Sequence, residues 1–87
     1  MSNEKVFKKI REIINRHDPI GIISDDDNPD EYDPEVKEIT TKLEKKYTQK
    51  ELTEEILKIF IKYFTPQIVG DKNKYDLIAK EIMAILE

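Results

Sequence analysis

The chain has 87 residues, the size of one domain, and it contains no cysteine. The lack of cysteine excludes a disulfide scaffold, thiolate zinc sites and thiol nucleophiles. No run of apolar residues is long enough to span a bilayer, and the polar segment 1–9 lacks the apolar stretch of a secretory signal. We therefore expect a single cytoplasmic domain over residues 1–87, with no membrane partner.

The net charge is −4, but the charge is distributed unevenly along the chain. Residues 17–35 carry eight acidic groups and no lysine or arginine, whereas residues 1–16 and 36–50 each carry five basic and two acidic groups. The acidic residues of this segment are Asp18, Asp25, Asp26, Asp27, Asp30, Glu31, Asp33 and Glu35. Because phosphate neutralisation needs an excess of lysine and arginine, no nucleic-acid partner is expected. Mutual neutralisation of the acidic loop and the basic segments within the fold is the simplest interpretation of the pattern.

A first helix is predicted from about Asn3 to Arg16, because apolar residues recur at helical spacing. His17 suits its C-terminal turn, where positive charge meets the negative end of the helix dipole. Pro19 prevents the helix from continuing and favours an extended conformation at Asp18. The helix therefore ends just before a proline-containing loop.

No helical or strand period is present from His17 to Tyr32, and loops this long are usually functional or disordered. We expect the first half, which includes Ile20 and Ile22, to pack under the helices. The second half, Ser24 to Asp30, is expected to face water.

A second helix is predicted to begin at Asp33, a favoured N-cap residue, with Pro34 at the first helical position. Its apolar stripe continues to about Lys46. The narrow stripe indicates a peripheral helix.

A third helix is predicted from Thr48, which forms a capping box with Glu51, to about Phe64. Its broad apolar face predicts a central position. Residues 65–72 then form a connector whose Ile68 and Val69 are expected to lie against the core. A fourth helix follows, capped by Asn73 or Asp71 and continuing to Leu86. Four amphipathic helices predict an all-α, four-helix bundle-like domain with a long acidic loop between helices 1 and 2.

The acidic run from Asp25 to Glu31 invites a calcium-binding interpretation, because hard cations prefer carboxylate oxygens. The twelve-residue EF-hand spacing fails from either Asp25 or Asp26, since the glycine and the final glutamate are absent. His17 is the only histidine, and no nucleophile, base and acid can be combined with it. We therefore predict no enzyme, no catalytic residue and no cofactor.

Two short sequence motifs suggest a family. They are His-Asp-Pro-Ile-Gly at 17–21 and Asp-Glu-Tyr-Asp-Pro-Glu at 30–35, accompanied by Ile-Ile-Asn-Arg at 13–16 and Ile-Phe at 59–60. With these, the chain resembles the YugE-like family of small uncharacterised bacterial helical proteins. His17 departs from the family pattern, which tends to have tryptophan there. The resemblance implies a compact helical domain from a bacterium, and it implies no activity, cofactor or catalytic residue.

The sequence favours a non-catalytic protein-interaction module that masks a basic partner surface, in the manner of an immunity protein or antitoxin. Complementary charge would speed the encounter, and a buried aromatic anchor would hold the complex. The candidate partner-binding residues are Asp25, Asp26, Asp27, Asp30, Glu31 and Tyr32. One alternative is a divalent-cation-binding protein or metal-dependent enzyme that uses the loop carboxylates. Another is a homo-oligomer formed through spare apolar area on helix two or four.

Overall fold

The computed structural model describes residues 3–22 and 30–86, which form five helices and no strand. The helices are α1 (Asn3–His17), α2 (Asp33–Lys42), α3 (Gln49–Tyr63), α4 (Pro66–Val69) and α5 (Lys72–Leu86). The predicted all-α class is confirmed. The four long helices correspond to the four predicted ones.

The long helices form an up-down-up-down bundle, in which α1 packs on α2 and α5, and α3 packs on the same two helices. The contacts that set these directions join Arg11 to Asp33, Lys62 to Glu38, Lys42 to Glu55, His17 to Glu81 and Lys74 to Pro19. One end of the bundle therefore carries the end of α1 and the starts of α2 and α5. The opposite end carries the end of α2, the start of α3 and the end of α5.

One hydrophobic core runs through the bundle and includes residues of every helix. Phe60 of α3 lies among aromatic rings, with centroid distances of 6.0 Å to Tyr32, 5.3 Å to Tyr75 and 6.1 Å to Phe64. Ile20 and Ile22 also pack against the core, as predicted for the start of the acidic loop. The central position predicted for α3 is confirmed, since it packs on α2, α4 and α5.

The predicted caps of α3 and α5 are present. The Thr48 hydroxyl accepts from the Glu51 amide at 3.2 Å, and the Glu51 carboxylate accepts from the Thr48 amide at 2.9 Å. Asp71, one of the two cap candidates for the last helix, accepts from the amide of Asn73 at 3.0 Å. These contacts satisfy amide donors that a helix start otherwise leaves unpaired.

Helix α2 ends at Lys42, four residues before the predicted boundary at Lys46. The amides of Leu43, Glu44 and Lys45 donate to carbonyls three residues earlier, at 3.1–3.3 Å, which is a tighter turn than the α-helix. Glu44 to Lys46 are exposed. Because these residues bury nothing against the core, packing does not support a further α-helical turn there.

The predicted connector after α3 contains the single-turn helix α4. The Thr65 hydroxyl accepts from the Ile68 amide at 3.3 Å, and Pro66 occupies the first turn. Gly70 ends it with a φ of +76°, a left-handed conformation that costs glycine little. Val69 is buried as expected, but Ile68 is 53% exposed, so the prediction that it packs on the core is wrong. A single turn directs adjacent side chains to different faces, and only one of them reaches the core.

Within the described part of the chain, no helix has both the length and the apolar character needed to cross a membrane.

Candidate functional site

The sequence places the candidate site between α1 and α2. Asp25, Asp26 and Asp27 lie outside the described residues, while Asp30, Glu31 and Tyr32 lie within them. We call the described residues 18–22 and 30–35 the acidic junction. They occupy the bundle end where α1 stops and α2 starts.

Asp18 turns the chain at the end of α1. Its φ is +44°, so the predicted extended conformation is wrong. The Asp18 amide still donates to the Ile14 carbonyl at 2.8 Å, which continues the helical hydrogen bonding. Its carboxylate accepts from the Ile22 amide at 3.0 Å, and its carbonyl accepts from the Gly21 amide at 3.0 Å. Aspartate tolerates the left-handed region because its short side chain can form such local hydrogen bonds.

Tyr32 lies in the core rather than on the surface, since none of its area is exposed. Its hydroxyl donates to the Asp18 carboxylate at 2.5 Å and accepts from the Ile20 amide at 3.1 Å. Burial and the Asp18 carboxylate raise the pKa of Tyr32 well above its ordinary value. The prediction that Tyr32 anchors a partner is therefore wrong, because its ring packs on Phe60 and its polar end is satisfied within the chain.

The turn after α1 is also joined to α5. The Lys74 ammonium donates to the carbonyl of Pro19 at 2.6 Å, and the same ammonium lies 5.4 Å from the centroid of the Tyr75 ring. Pro19 itself is buried. The turn is thus held from two sides, by Tyr32 before α2 and by Lys74 on α5.

The two sequence motifs on which the family resemblance rests are joined by the hydrogen bond between Asp18 and Tyr32. Asp18 belongs to the first motif and Tyr32 to the second, fourteen positions later. Both residues therefore have a structural role that closes the base of the acidic loop.

Asp33 was predicted to be the N-cap of α2, and this is wrong. The cap position belongs to Tyr32, whose side chain makes no capping hydrogen bond. The Asp33 carboxylate instead accepts from Nε of Arg11 at 2.9 Å and from the neighbouring guanidinium nitrogen. This hydrogen bond raises the pKa of Arg11, and the nearby charge of Asp30 adds to the effect. The Arg11 guanidinium also lies 5.2 Å from the centroid of the Phe7 ring.

A double-mutant cycle with Arg11→Met and Asp33→Asn tests this assignment. We expect a coupling free energy of about 1 kcal/mol from urea unfolding, because the pair is bidentate and about three-quarters buried on both sides. Added salt should weaken the coupling. If Asp33→Asn costs the same in the Arg11→Met background as in the unaltered chain, Asp33 acts on the helix start and not on Arg11.

Glu35 is the last acidic residue of the segment, and it is only 3% exposed. Among the described residues, no lysine or arginine lies within ion-pair distance of its carboxylate. Burial raises the pKa of Glu35 above its ordinary 4.5, its own backbone amide opposes this, and the charges of Glu38 and Asp33 reinforce it. An ionised carboxylate at this position is therefore unfavourable.

Glu35→Gln is expected to stabilise the domain by about 1 kcal/mol at neutral pH. The folded state holds the Glu35 proton more tightly than the unfolded state, so stability is lost as the pH rises from about 4.5 through the folded pKa. Glutamine has the same shape and escapes this loss. Urea unfolding at about pH 4.5 and about pH 7 should show the gain only at the higher pH.

Glu44→Gln is the matched control, since it removes the same charge from an exposed position beyond α2. It should show little difference between the two pH values. A Glu35→Gln variant that is less stable than the unaltered chain at neutral pH would contradict the interpretation. Such a result would mean that the carboxylate has a favourable partner.

His17 ends α1, as predicted, and bonds through Nε2 to the Glu81 carboxylate of α5, which also accepts from Arg16. The hydrogen bond with His17 and the charges of His17 and Arg16 lower the pKa of Glu81. The contact joins α1 to α5 near the acidic junction. His17 thus has a structural partner on the helix that packs against it.

In residues 3–22 and 30–86, no three side chains among histidine, cysteine, aspartate and glutamate are grouped so that they could hold a metal ion. Asp25 to Asp27, on which the cation-binding alternative depends, lie outside these ranges.

Comparison with protein-family models, curated proteins and solved structures finds no match for the chain. Membership in the YugE-like family therefore stays a prediction.

Proposed function

We propose that the protein is a non-catalytic interaction module that binds a basic surface of another protein through its acidic end. The proposal rests on a difference among the eight acidic groups in residues 17–35, some of which are bonded or buried within the fold while Asp30 is exposed. Three of them are held inside the fold: Asp18 by Tyr32, Asp33 by Arg11, and Glu35 by burial. Asp30 is exposed at the same end of the bundle.

The fixed ends of the acidic loop support this interpretation. The Ile22 amide is bonded to Asp18, and the Asp33 amide donates to the Asp30 carbonyl at 3.1 Å. The sequence between these fixed points contains Asp25, Asp26 and Asp27. A chain anchored at both ends loses less conformational entropy on binding than a free tail does. Concentrated negative charge also accelerates encounter with a basic partner.

An immunity or antitoxin role, in which the protein masks a basic toxin, is the specific form that we propose. It requires complementary charge and a rigid scaffold. The partner is expected to be a protein, and the process is expected to take place in the cytoplasm.

The test is affinity capture from native lysate at low salt, followed by mass spectrometry. The unaltered chain is compared with a variant carrying Asp25→Asn, Asp26→Asn and Asp27→Asn. We expect a basic protein to be retained by the unaltered chain, released by added salt, and retained at least about tenfold less by the variant.

A matched control carries Glu4→Gln, Glu12→Gln and Glu44→Gln, which remove the same charge from exposed positions on α1 and after α2. It should retain the partner as well as the unaltered chain does. Equal loss in both variants would indicate a net-charge effect and contradict a site at the acidic end. Failure of the unaltered chain to retain any basic protein would also contradict the proposal.

A further inference from the structure

A second candidate surface lies at the opposite end of the bundle from the acidic junction. It is a cleft of about 380 Å³ between the turn that follows α2 and the last turn of α5. Its lining residues are Leu43, Lys45, Lys46, Tyr47, Met83 and Leu86, which we call the basic groove. None of these residues belongs to the acidic junction.

The floor of the basic groove is apolar and incompletely covered. Leu43, Tyr47 and Met83 pack against the core on one side and remain partly accessible on the other. Leu86 is 40% exposed. The early end of α2 produces this arrangement, because the tight turn after Lys42 leaves Leu43 and Tyr47 beside the end of α5.

The rim of the basic groove is positively charged. Lys45 and Lys46 are both exposed, and within the described ranges no carboxylate lies within ion-pair distance of either. The nearby Lys42, by contrast, pairs with Glu55 of α3 at 3.3 Å. Two exposed ammonium groups beside an apolar floor favour a ligand that is both apolar and acidic.

We propose that the basic groove binds a short acidic, amphipathic peptide segment of another protein. An apolar side chain of the peptide would enter the cleft, and aspartate or glutamate beside it would pair with Lys45 and Lys46. The concave shape fits a peptide better than a flat lipid surface. An apolar floor with two lysines does not provide the continuous track of cations that a nucleic-acid backbone requires. The proposal does not depend on the function of the acidic end.

The two methionines of the chain, Met1 and Met83, provide a direct probe of the groove. Protein labelled with ¹³C at the methionine methyl groups is titrated with a peptide in which leucine and phenylalanine alternate with aspartate and glutamate. We expect the Met83 methyl signal to shift and saturate as the peptide binds. A peptide with lysine in place of every acidic residue should leave that signal unchanged.

Fluorescence polarisation with the same acidic peptide measures the contribution of the rim. A variant with Lys45→Glu and Lys46→Glu should bind at least about tenfold more weakly. The matched control, Lys8→Glu with Lys80→Glu, alters two exposed lysines outside the groove and should bind like the unaltered chain. Circular dichroism spectra should show that both variants retain their helices.

Several outcomes would overturn the proposal. One is that the Met83 methyl signal shows no saturable shift at millimolar peptide. Another is that both lysine variants bind the peptide equally weakly. Binding to vesicles of phosphatidylcholine and phosphatidylserine without binding to the peptide would assign the groove to a membrane surface. Self-association that is lost in the Lys45→Glu, Lys46→Glu variant, without peptide binding, would assign it to a second copy. The variant with Asp25→Asn, Asp26→Asn and Asp27→Asn should bind the peptide like the unaltered chain. Failure of the groove proposal can therefore be distinguished from failure of the proposal for the acidic end.

Discussion

Phe60→Ala is expected to lower the free energy of unfolding by about 3–5 kcal/mol. Phe60 is completely buried on α3, and its ring lies beside Tyr32 before α2, Tyr75 of α5 and Phe64 at the end of its own helix. Truncation would leave a cavity between Tyr32 and Tyr75. Neither tyrosine ring can move in to fill it without breaking the hydrogen bond of its own hydroxyl group. Urea unfolding followed by circular dichroism measures the change.

Tyr63→Ala provides the comparison on the same helix. Tyr63 is 44% exposed, so its truncation should cost less than about half as much as Phe60→Ala. Phe60→Leu, which retains most of the buried volume, should lie between the two. If Phe60→Ala costs no more than Tyr63→Ala, the aromatic cluster is not the centre of the core.

Asp18→Ala is expected to cost about 2–4 kcal/mol, the second largest effect. The substitution removes the carboxylate that accepts from the Ile22 amide and from the buried Tyr32 hydroxyl, so both donors lose that hydrogen bond. It also places alanine at a φ of +44°, where the Cβ atom causes strain and no polar side chain offsets it. Equilibrium unfolding again measures the cost.

Two further variants separate the causes. Asp18→Asn retains the acceptor oxygen and the tolerance for the left-handed region, so it should cost about 1 kcal/mol. Asp18→Gly loses the side chain but relieves the backbone, so it should be more stable than Asp18→Ala by about 1 kcal/mol. At an ordinary loop position glycine would not exceed alanine in this way. An Asp18→Gly variant less stable than Asp18→Ala would contradict the left-handed conformation.

These contacts change the interpretation of the acidic segment. The charge pattern alone suggests a solvated negative loop, but Asp18 and Asp33 form hydrogen bonds within the fold and Glu35 is buried in it. The charge available to a partner is therefore smaller than the count of acidic residues suggests. The basic groove places positive charge at the other end of the bundle, so the two candidate surfaces differ in sign as well as in location.

The sequence by itself determined the features that depend on near neighbours. Helical periodicity located the four long helices, and the capping box at Thr48 was recognised because its partners lie three residues apart. For the last helix the sequence offered Asn73 or Asp71, and the structure selects Asp71. The same local logic failed at Asp33. Its residue type suits a cap, but the guanidinium of Arg11, twenty-two positions earlier, provides a stronger charged partner.

Only the tertiary structure decided what distant residues do to one another. The burial of Tyr32, the hydrogen bond that joins it to Asp18 and the burial of the Glu35 carboxylate all depend on how α1 and α3 pack around the start of α2. Periodicity shows which face of a helix is apolar, but it does not show which helix covers that face. The basic groove has the same origin, because it forms only where the turn after α2 meets the end of α5.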